Sequence, residues 1–357
     1  MSLTISDLET GNLSRAHRYA VFGLAFLAMY GALVVVPWTL LVLRASTVAG
    51  WMVVIALAVT AAVLALVAEP ANRTREVATA LILVVGTLLI AGIVANSFYD
   101  TSWDGRTYHS EGIIALSEGW NPFEDPDPGS FGDGNLVRSF PKASWLAAGS
   151  LYDLTGSIEV GKSINVLVLA GSFLLVLALL TRLDVRPSVA WAGSAIAAAN
   201  PIWVTQSLTN YVDGQTASLL LAAIAAGLWI LLFDRARVAT WSLGLSLLLL
   251  INLKFSGIYY AGLVLMAMTV VLIWQRRWDD FKRFFVTQGA VVIVAVGVIG
   301  FNPYVQNTLD FGNPFYPMYG EDSIDFFTVN TPENLRDASQ IKQLVYGVFG
   351  RPQNVPI

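Results

Sequence analysis

A chain of 357 residues that is 55% hydrophobic and only 13% charged falls well below the roughly 25% charge content of soluble domains and reads as a polytopic membrane protein. Its net charge of −4 excludes little, because in a membrane protein the distribution of charge matters more than its sum. The absence of cysteine excludes disulfides and thiolate metal centres outright, and no nucleic-acid partner is expected.

In chain order, about nine apolar segments are long enough to cross a hydrocarbon core of about 30 Å. They centre near residues 20–43, 48–68, 76–97, 161–181, 187–205, 214–233, 238–253, 257–275 and 286–303. The alternating pattern of barrel strands is absent, so the fold class predicted is all-α, with spans that satisfy their own backbone hydrogen bonds. The first segment follows Arg15 and Arg18 but is too long for a signal peptide and lacks a small-residue cleavage site, which makes it a retained anchor. With the N-terminus cytoplasmic, the inside loops carry Arg15 and Arg18, Arg73 and Arg75, Arg182 and Arg186, Arg235 and Arg237, then Arg276, Arg277, Lys282 and Arg283. The short outside loops offer only Arg44 and Lys254. This asymmetry places the long loop 98–160 and the segment 307–357 outside.

Three regions follow from that pattern: an N-terminal pair of spans over 1–75, a transmembrane module over 76–306 that includes the external loop, and an external C-terminal segment over 307–357. An odd number of spans leaves that segment outside, and further spans or a soluble domain are expected to continue it.

The external loop opens with Ser97-Phe-Tyr-Asp100-Thr-Ser-Trp103-Asp104-Gly-Arg106-Thr-Tyr108-His109. It is too long and too aromatic to read as a bare connection or a disordered one. Residues 107–118 put Ile113 and Leu116 on one helical face and predict a helix lying in the membrane interface. Turn chemistry from Gly119 to Gly129 ends it. A second short helix is predicted over 141–154, with Pro141 at its start and Trp145, Leu146 and Leu151 as its apolar residues. Trp103, Tyr108, Trp120 and Trp145 read as interface anchors more readily than as a sugar platform.

Asp100 and Asp104, four residues apart, share a face in a helical turn, and two carboxylates at a low-dielectric boundary suit a general base or a shared cation site. Solvated surface acids would show the same spacing. Asp213, in the outside turn Thr209-Asn-Tyr-Val-Asp213-Gly, is a candidate N-cap or a second functional acid at the level of Asp104. Lys254, in Asn252-Leu-Lys254-Phe-Ser-Gly257, lies between two spans with almost no loop. It either snorkels to headgroups or clamps a phosphate together with Arg138 and Lys142 of Arg138-Ser-Phe-Pro-Lys142. His109 beside the two acids is a candidate ligand for zinc or a hard cation, or a hydrogen-bonded loop histidine. The metal identity stays open, and a divalent cation is the one cofactor left in consideration.

Taken in order, WDGRTYH in the first external loop, SFPKASW later in it, the external Tyr-Val-Asp, the Lys-Phe-Ser-Gly between spans and the NPYVQN…GNPFYP exit resemble the membrane-embedded GT-C glycosyltransferases. The likeness is to the bacterial branch related to protein mannosyltransferases and lipid A aminoarabinose transferases, and it covers roughly residues 76–320. The resemblance implies a GT-C-like module with a catalytic first external loop in a bacterial inner membrane. It also implies inverting transfer of a sugar from a polyprenyl-phosphate donor to a lipid, glycan or protein acceptor on the periplasmic side. By motif, Asp104 matches the family's loop acid, and Tyr108, His109, Arg138, Lys142 and Lys254 are the substrate- and phosphate-binding candidates. Gly105 departs from the family, where a second acid is common, so Asp100 or Asp213 is expected to supply that carboxylate. The first two spans look like an addition to the family pattern. The alternatives are a transporter or lipid-carrier flippase, which calls for ionisable groups near mid-membrane, and a non-catalytic lipid-carrier binder.

Overall fold

A run of apolar residues in hydrocarbon has no water to satisfy its N–H and C=O groups, and only a helix satisfies them within one segment. The computed structural model describes residues 5–129, 134–233, 237–319 and 333–349, and no strand occurs among them. The helices are α1 Ile5–Val42, α2 Met52–Val67, α3 Arg73–Asn96, α4 Ser110–Ser117, α5 Gly134–Ser139, α6 Ala143–Thr155, α7 Ser163–Arg182, α8 Pro187–Ala198 and α9 Pro201–Gln206. They continue as α10 Asp213–Leu232, α11 Arg237–Leu253, α12 Phe255–Trp274, α13 Trp278–Ile293 and α14 Gln306–Phe311. A π-helical turn, Gly105–His109, leads into α4, and a second, Val294–Ile299, prolongs α13. Two short helices, Glu333–Arg336 and Gln340–Phe349, follow.

Among the described residues, 6 helical stretches are long and apolar enough to cross a membrane: Asn12–Val42, Arg73–Asn96, Ile158–Arg182, Asp213–Leu232, Phe255–Trp274 and Trp278–Ile299. The chain is therefore an all-α membrane protein. The other three expected segments are shorter. Helices α2 and α11 are apolar but only 16 and 17 residues long, about 24–26 Å at 1.5 Å per residue. The segment 187–205 divides at Asn200-Pro201 into helices of 12 and 6 residues. Pro201 has no N–H to donate backwards, and the Asn200 side chain caps the new helix by accepting from Trp203 N at 3.0 Å.

The central helix is α1, whose spanning window is 78% buried, against 22% for α3 and for α13. It packs on α7, α2 and α11, so α1 is integral to the bundle. The outward face of α3 presents Ile82, Ile90 and Ile93 almost bare, an apolar patch that water penalises and hydrocarbon does not.

Contacts across the two ends of the bundle sort the loops. At one end, Asn12 donates to Asp184 at 2.7 Å and Arg277 to the Leu231 carbonyl at 2.7 Å, while Arg182 lies over the Phe233 ring. At the other, the α1–α2 turn is tied to the long loop through Gly50 N to Asp153 (2.7 Å), Asn121 to the Leu41 carbonyl (2.9 Å) and Arg44 to Glu124 (2.9 Å).

The long loop folds as a helical cap on that end, with α4 packed on α6. Its expected helices are present, but their apolar residues face protein: Ile113 and Leu116 are buried. The interface-anchor expectation is corrected for two of the four aromatics. Trp145 is 1% exposed and Trp120 8%, because they fill the cap's own core, whereas Trp103 is 78% exposed.

Beneath the cap, a buried polar chain fixes the α9–α10 turn. Tyr30 OH donates to Gln215 Oε1 (2.7 Å), Gln215 Nε2 donates to Asn165 Oδ1 (2.8 Å), and Asn165 Nδ2 donates to the carbonyls of Gln206, Ser207 and Thr209. A satisfied buried network of this kind rigidifies its surroundings.

Candidate functional site

Asp213, Lys254 and the first segment of the long loop meet at the capped end. Helix α11 stops at Leu253 and α12 starts at Phe255, leaving Lys254 extended at the apex (φ −155°, ψ 147°). So tight a reversal forces α12 against the end of α11. A Cβ at Gly257 would lie 1.8 Å from the Leu250 carbonyl oxygen, and only glycine fits. The Lys-Phe-Ser-Gly motif is thus a one-residue hairpin that presents a lysine.

The Lys254 ammonium lies 2.5 Å from Asp213 Oδ1, and Gln206 Nε2 donates to Asp213 Oδ2 at 3.3 Å. Asp213 is the first residue of α10, one place inside the cap position, which Val212 occupies; its charge complements the helix N-terminus. Both partners are about 40% exposed (43% and 37%), so water screens the pair and its contribution to stability is at most about 1 kcal/mol.

Asp104 precedes the π turn and is half-buried. Its Oδ2 accepts from the Tyr108 hydroxyl at 3.1 Å, the i,i+4 reach of one helical turn. Burial pushes the Tyr108 hydroxyl pKa well above its ordinary value, with the Asp104 charge, its hydrogen bond and then the charges of Asp213 and Tyr211 adding to the rise. Tyr108 is therefore a fixed donor to Asp104. Tyr211 OH lies 3.5 Å from Asp104 N.

His109 is buried under this cluster. Trp145 Nε1 donates to its Nδ1 at 2.8 Å, which leaves the proton on Nε2, where no partner is found among the described residues. Burial lowers its pKa to about 3, aided by Lys254 and opposed by Asp213 and Asp100. The ring is neutral at ordinary pH. No group of three or more His, Asp or Glu is arranged to hold a metal among the described residues.

Three of the candidates spend their hydrogen bonds on the chain itself. Asp100 is 7% exposed, its Oδ1 accepts from Ser102 N and Oγ (2.8 and 2.6 Å) and its Oδ2 from Asn210 N at 2.6 Å. Lys142 is not free to clamp phosphate, because its ammonium donates to the Arg138 carbonyl (2.8 Å), the Phe140 carbonyl (2.9 Å) and Asn302 Oδ1 (2.5 Å). It sits between Trp120 and Trp145, and burial, then the Arg138 charge, hold its pKa well below the usual lysine value. Arg138 pairs with Asp310 at 2.5 Å and lies over Phe311. These two cations fasten the cap to the segment after α13; of the three clamp candidates, Lys254 alone joins the acids.

Tyr211, Gln206 and Asn210 were missed as site residues although they flank Asp213. A neutral side chain carries no charge signal, and a backbone donor such as Asn210 N carries no sequence signal at all.

Below the ion pair, α10 and α12 part to form an apolar groove of about 420 Å³ lined by Leu220, Ile224, Leu228, Tyr260, Leu263 and Met268 among others. Its upper residues, Leu220 and Tyr260, are about two turns, roughly 10 Å, from Asp213 and Lys254 along their helices.

Comparison with known proteins yields no match: no family model matches the chain, no curated protein matches its sequence and no solved structure matches its fold.

Proposed function

We propose that this chain is a GT-C-like membrane glycosyltransferase that moves a sugar from a polyprenyl-phosphate donor onto an acceptor at the outer face of a bacterial inner membrane. In this reading the N-terminus is cytoplasmic, α2, α11 and the α8–α9 pair count as crossings, and the chain makes nine passes. The observation that supports it is the presence of two pairs, Asp104–Tyr108 and Asp213–Lys254, at the capped end, with Tyr211, two residues before Asp213, lying 3.5 Å from Asp104 N. That end is the one the basic loops assign to the exterior.

The chemistry divides among these groups. Asp104 takes the proton of the acceptor hydroxyl as its oxygen attacks the anomeric carbon; the bond from that carbon to the phosphate oxygen breaks, and its electron pair leaves with the lipid phosphate. Attack opposite the leaving group inverts the anomeric centre. Tyr108 holds one carboxylate oxygen of Asp104 and leaves the other for the acceptor. Lys254, poised by Asp213, offsets the charge that develops on the phosphate. The groove between α10 and α12 is apolar and open, as a polyprenyl tail entering from the bilayer requires.

The placement of charge favours catalysis over transport. No Asp, Glu, Lys, Arg or His occurs in 19–43, 77–95, 163–181, 214–232, 255–275 or 284–305; ionisable groups collect at helix ends instead of at mid-membrane, where a coupled transporter would use them. Asp104→Asn in membranes supplied with a polyprenyl-phosphate sugar is expected to lower transfer by about 10²-fold or more. Full turnover by that variant would overturn the assignment.

A further inference from the structure

Asp100 spends its carboxylate on joining two segments. Through Oδ2 it accepts from Asn210 N at 2.6 Å, across 110 residues of chain, and through Oδ1 it closes a turn on Ser102. Its own N–H donates to Glu159 at 3.2 Å. Glu159 in turn pairs with Lys162, a lysine whose side chain is wholly buried and which also donates to the Phe98 carbonyl. Asp100 is thus gripped from the α6–α7 junction and reaches to the turn that carries Tyr211 and Asp213.

Gly105 faces this carboxylate. A Cβ there would lie 2.2 Å from Asp100 Oδ2 and 2.3 Å from Ser102 Oγ, closer than atoms approach. Its backbone φ is not positive, so the demand for glycine is one of space. Ser102 Oγ can swing aside, but Asp100 Oδ2 is held by Asn210 N and cannot yield without releasing it.

We infer that Asp100 is the positioning residue of the site: its carboxylate, seated in the notch left by Gly105, sets the spacing between the Asp104 segment and the Tyr211–Asp213 turn. Asp104 lies four residues beyond Asp100 and Asp213 three beyond Asn210, so any slip of this joint passes into the relative placement of both acids. A misplacement of about 1 Å of a reacting group costs on the order of 10²-fold in rate. The kinetic part of this inference rests on the glycosyl-transfer reading; the geometric part does not.

The test uses the full chain, which has no cysteine of its own, with nitroxide labels on cysteines placed at the exposed positions Tyr99 and Thr205. The unsubstituted background is expected to give one narrow distance distribution. Asp100→Ala is expected to broaden or shift it, and Gly105→Ala, which keeps every hydrogen-bonding group, to do the same; if Asp100→Ala does not assemble, Gly105→Ala gives the reading. An unchanged distribution in Gly105→Ala or in assembled Asp100→Ala overturns the inference. In transfer assays, Asp100→Ala is expected to lower kcat by about 10- to 100-fold with the donor KM little changed. Asp100→Asn, which keeps an oxygen for Asn210 N, is expected to recover much of that loss. Loss of transfer in Asp100→Asn as complete as in Asp104→Asn, with an unshifted distance distribution, would mean that Asp100 touches the reactants and would also overturn the inference. If the wild type transfers no sugar at all, the glycosyl-transfer reading fails, while the label distances still decide the role of Asp100.

Discussion

Replacing Lys142 by methionine separates a buried fastener from a phosphate ligand. The side chain is 5% exposed and its ammonium serves three oxygens, the carbonyls of Arg138 and Phe140 and the Asn302 amide. Methionine fills the aliphatic path between Trp120 and Trp145 but strands those acceptors, at about 1 kcal/mol or more each. Relief from burying the ammonium returns part of this, and loss of the cation–π contacts to the two indoles adds to it. The balance is about 3 kcal/mol of destabilisation, concentrated where the cap meets the segment after α13. In detergent, thermal unfolding followed by tryptophan fluorescence is expected to drop by on the order of 5 °C or more, and limited proteolysis is expected to cut the cap sooner. Donor KM in material that remains folded is expected to stay unchanged. Unaltered stability accompanied by a large rise in donor KM would refute the reasoning and restore Lys142 as a phosphate ligand.

Other outcomes follow from the same geometry. Gly257→Ala drives a methyl group to within 1.8 Å of the Leu250 carbonyl and is expected to cost about 1–3 kcal/mol, visible as reduced yield of monodisperse protein; a variant as stable as the parent would contradict the one-residue hairpin. Tyr108→Phe removes the donor to Asp104 and is expected to lower kcat about 10-fold while leaving the fold intact; unchanged kcat would show that Asp104 needs no such orientation. His109 has a folded pKa of about 3 against 6.5 ordinarily. The unfolded chain therefore binds its proton first, and the stability that neutral His109 contributes is complete above pH 6.5 and lost as pH falls towards 3. The expected slope is about 1.4 kcal/mol per pH unit in that window. His109→Gln should remove this slope in a pH series of thermal midpoints, and an identical series in both proteins would refute it.

The helical, membrane-bound character was legible because hydrocarbon leaves the backbone no alternative to helices. Crossing lengths were less legible: hydropathy alone does not register Pro201, with Asn200 capping a fresh helix, inside an apolar run. At the site, Asp213 and Lys254 stood out as charges at span ends, and the structure pairs them. Asp100 and Lys142 carry the same signal, yet their hydrogen bonds go to the chain itself, which charge in a sequence does not reveal. Gly105 looked like a missing acid. The space it vacates is filled by Asp100 from five residues earlier, a relation that no linear motif displays.

The measurement that bears most directly on the proposed activity is product formation by purified protein in lipid vesicles. A panel of polyprenyl-phosphate sugars is offered with candidate lipid, glycan and peptide acceptors, and the products are read by mass spectrometry. The account predicts an acceptor heavier by one sugar residue, made only with donor present and lost in Asp104→Asn. Donor that crosses the bilayer unchanged, with no glycosylated product from any acceptor, would contradict it.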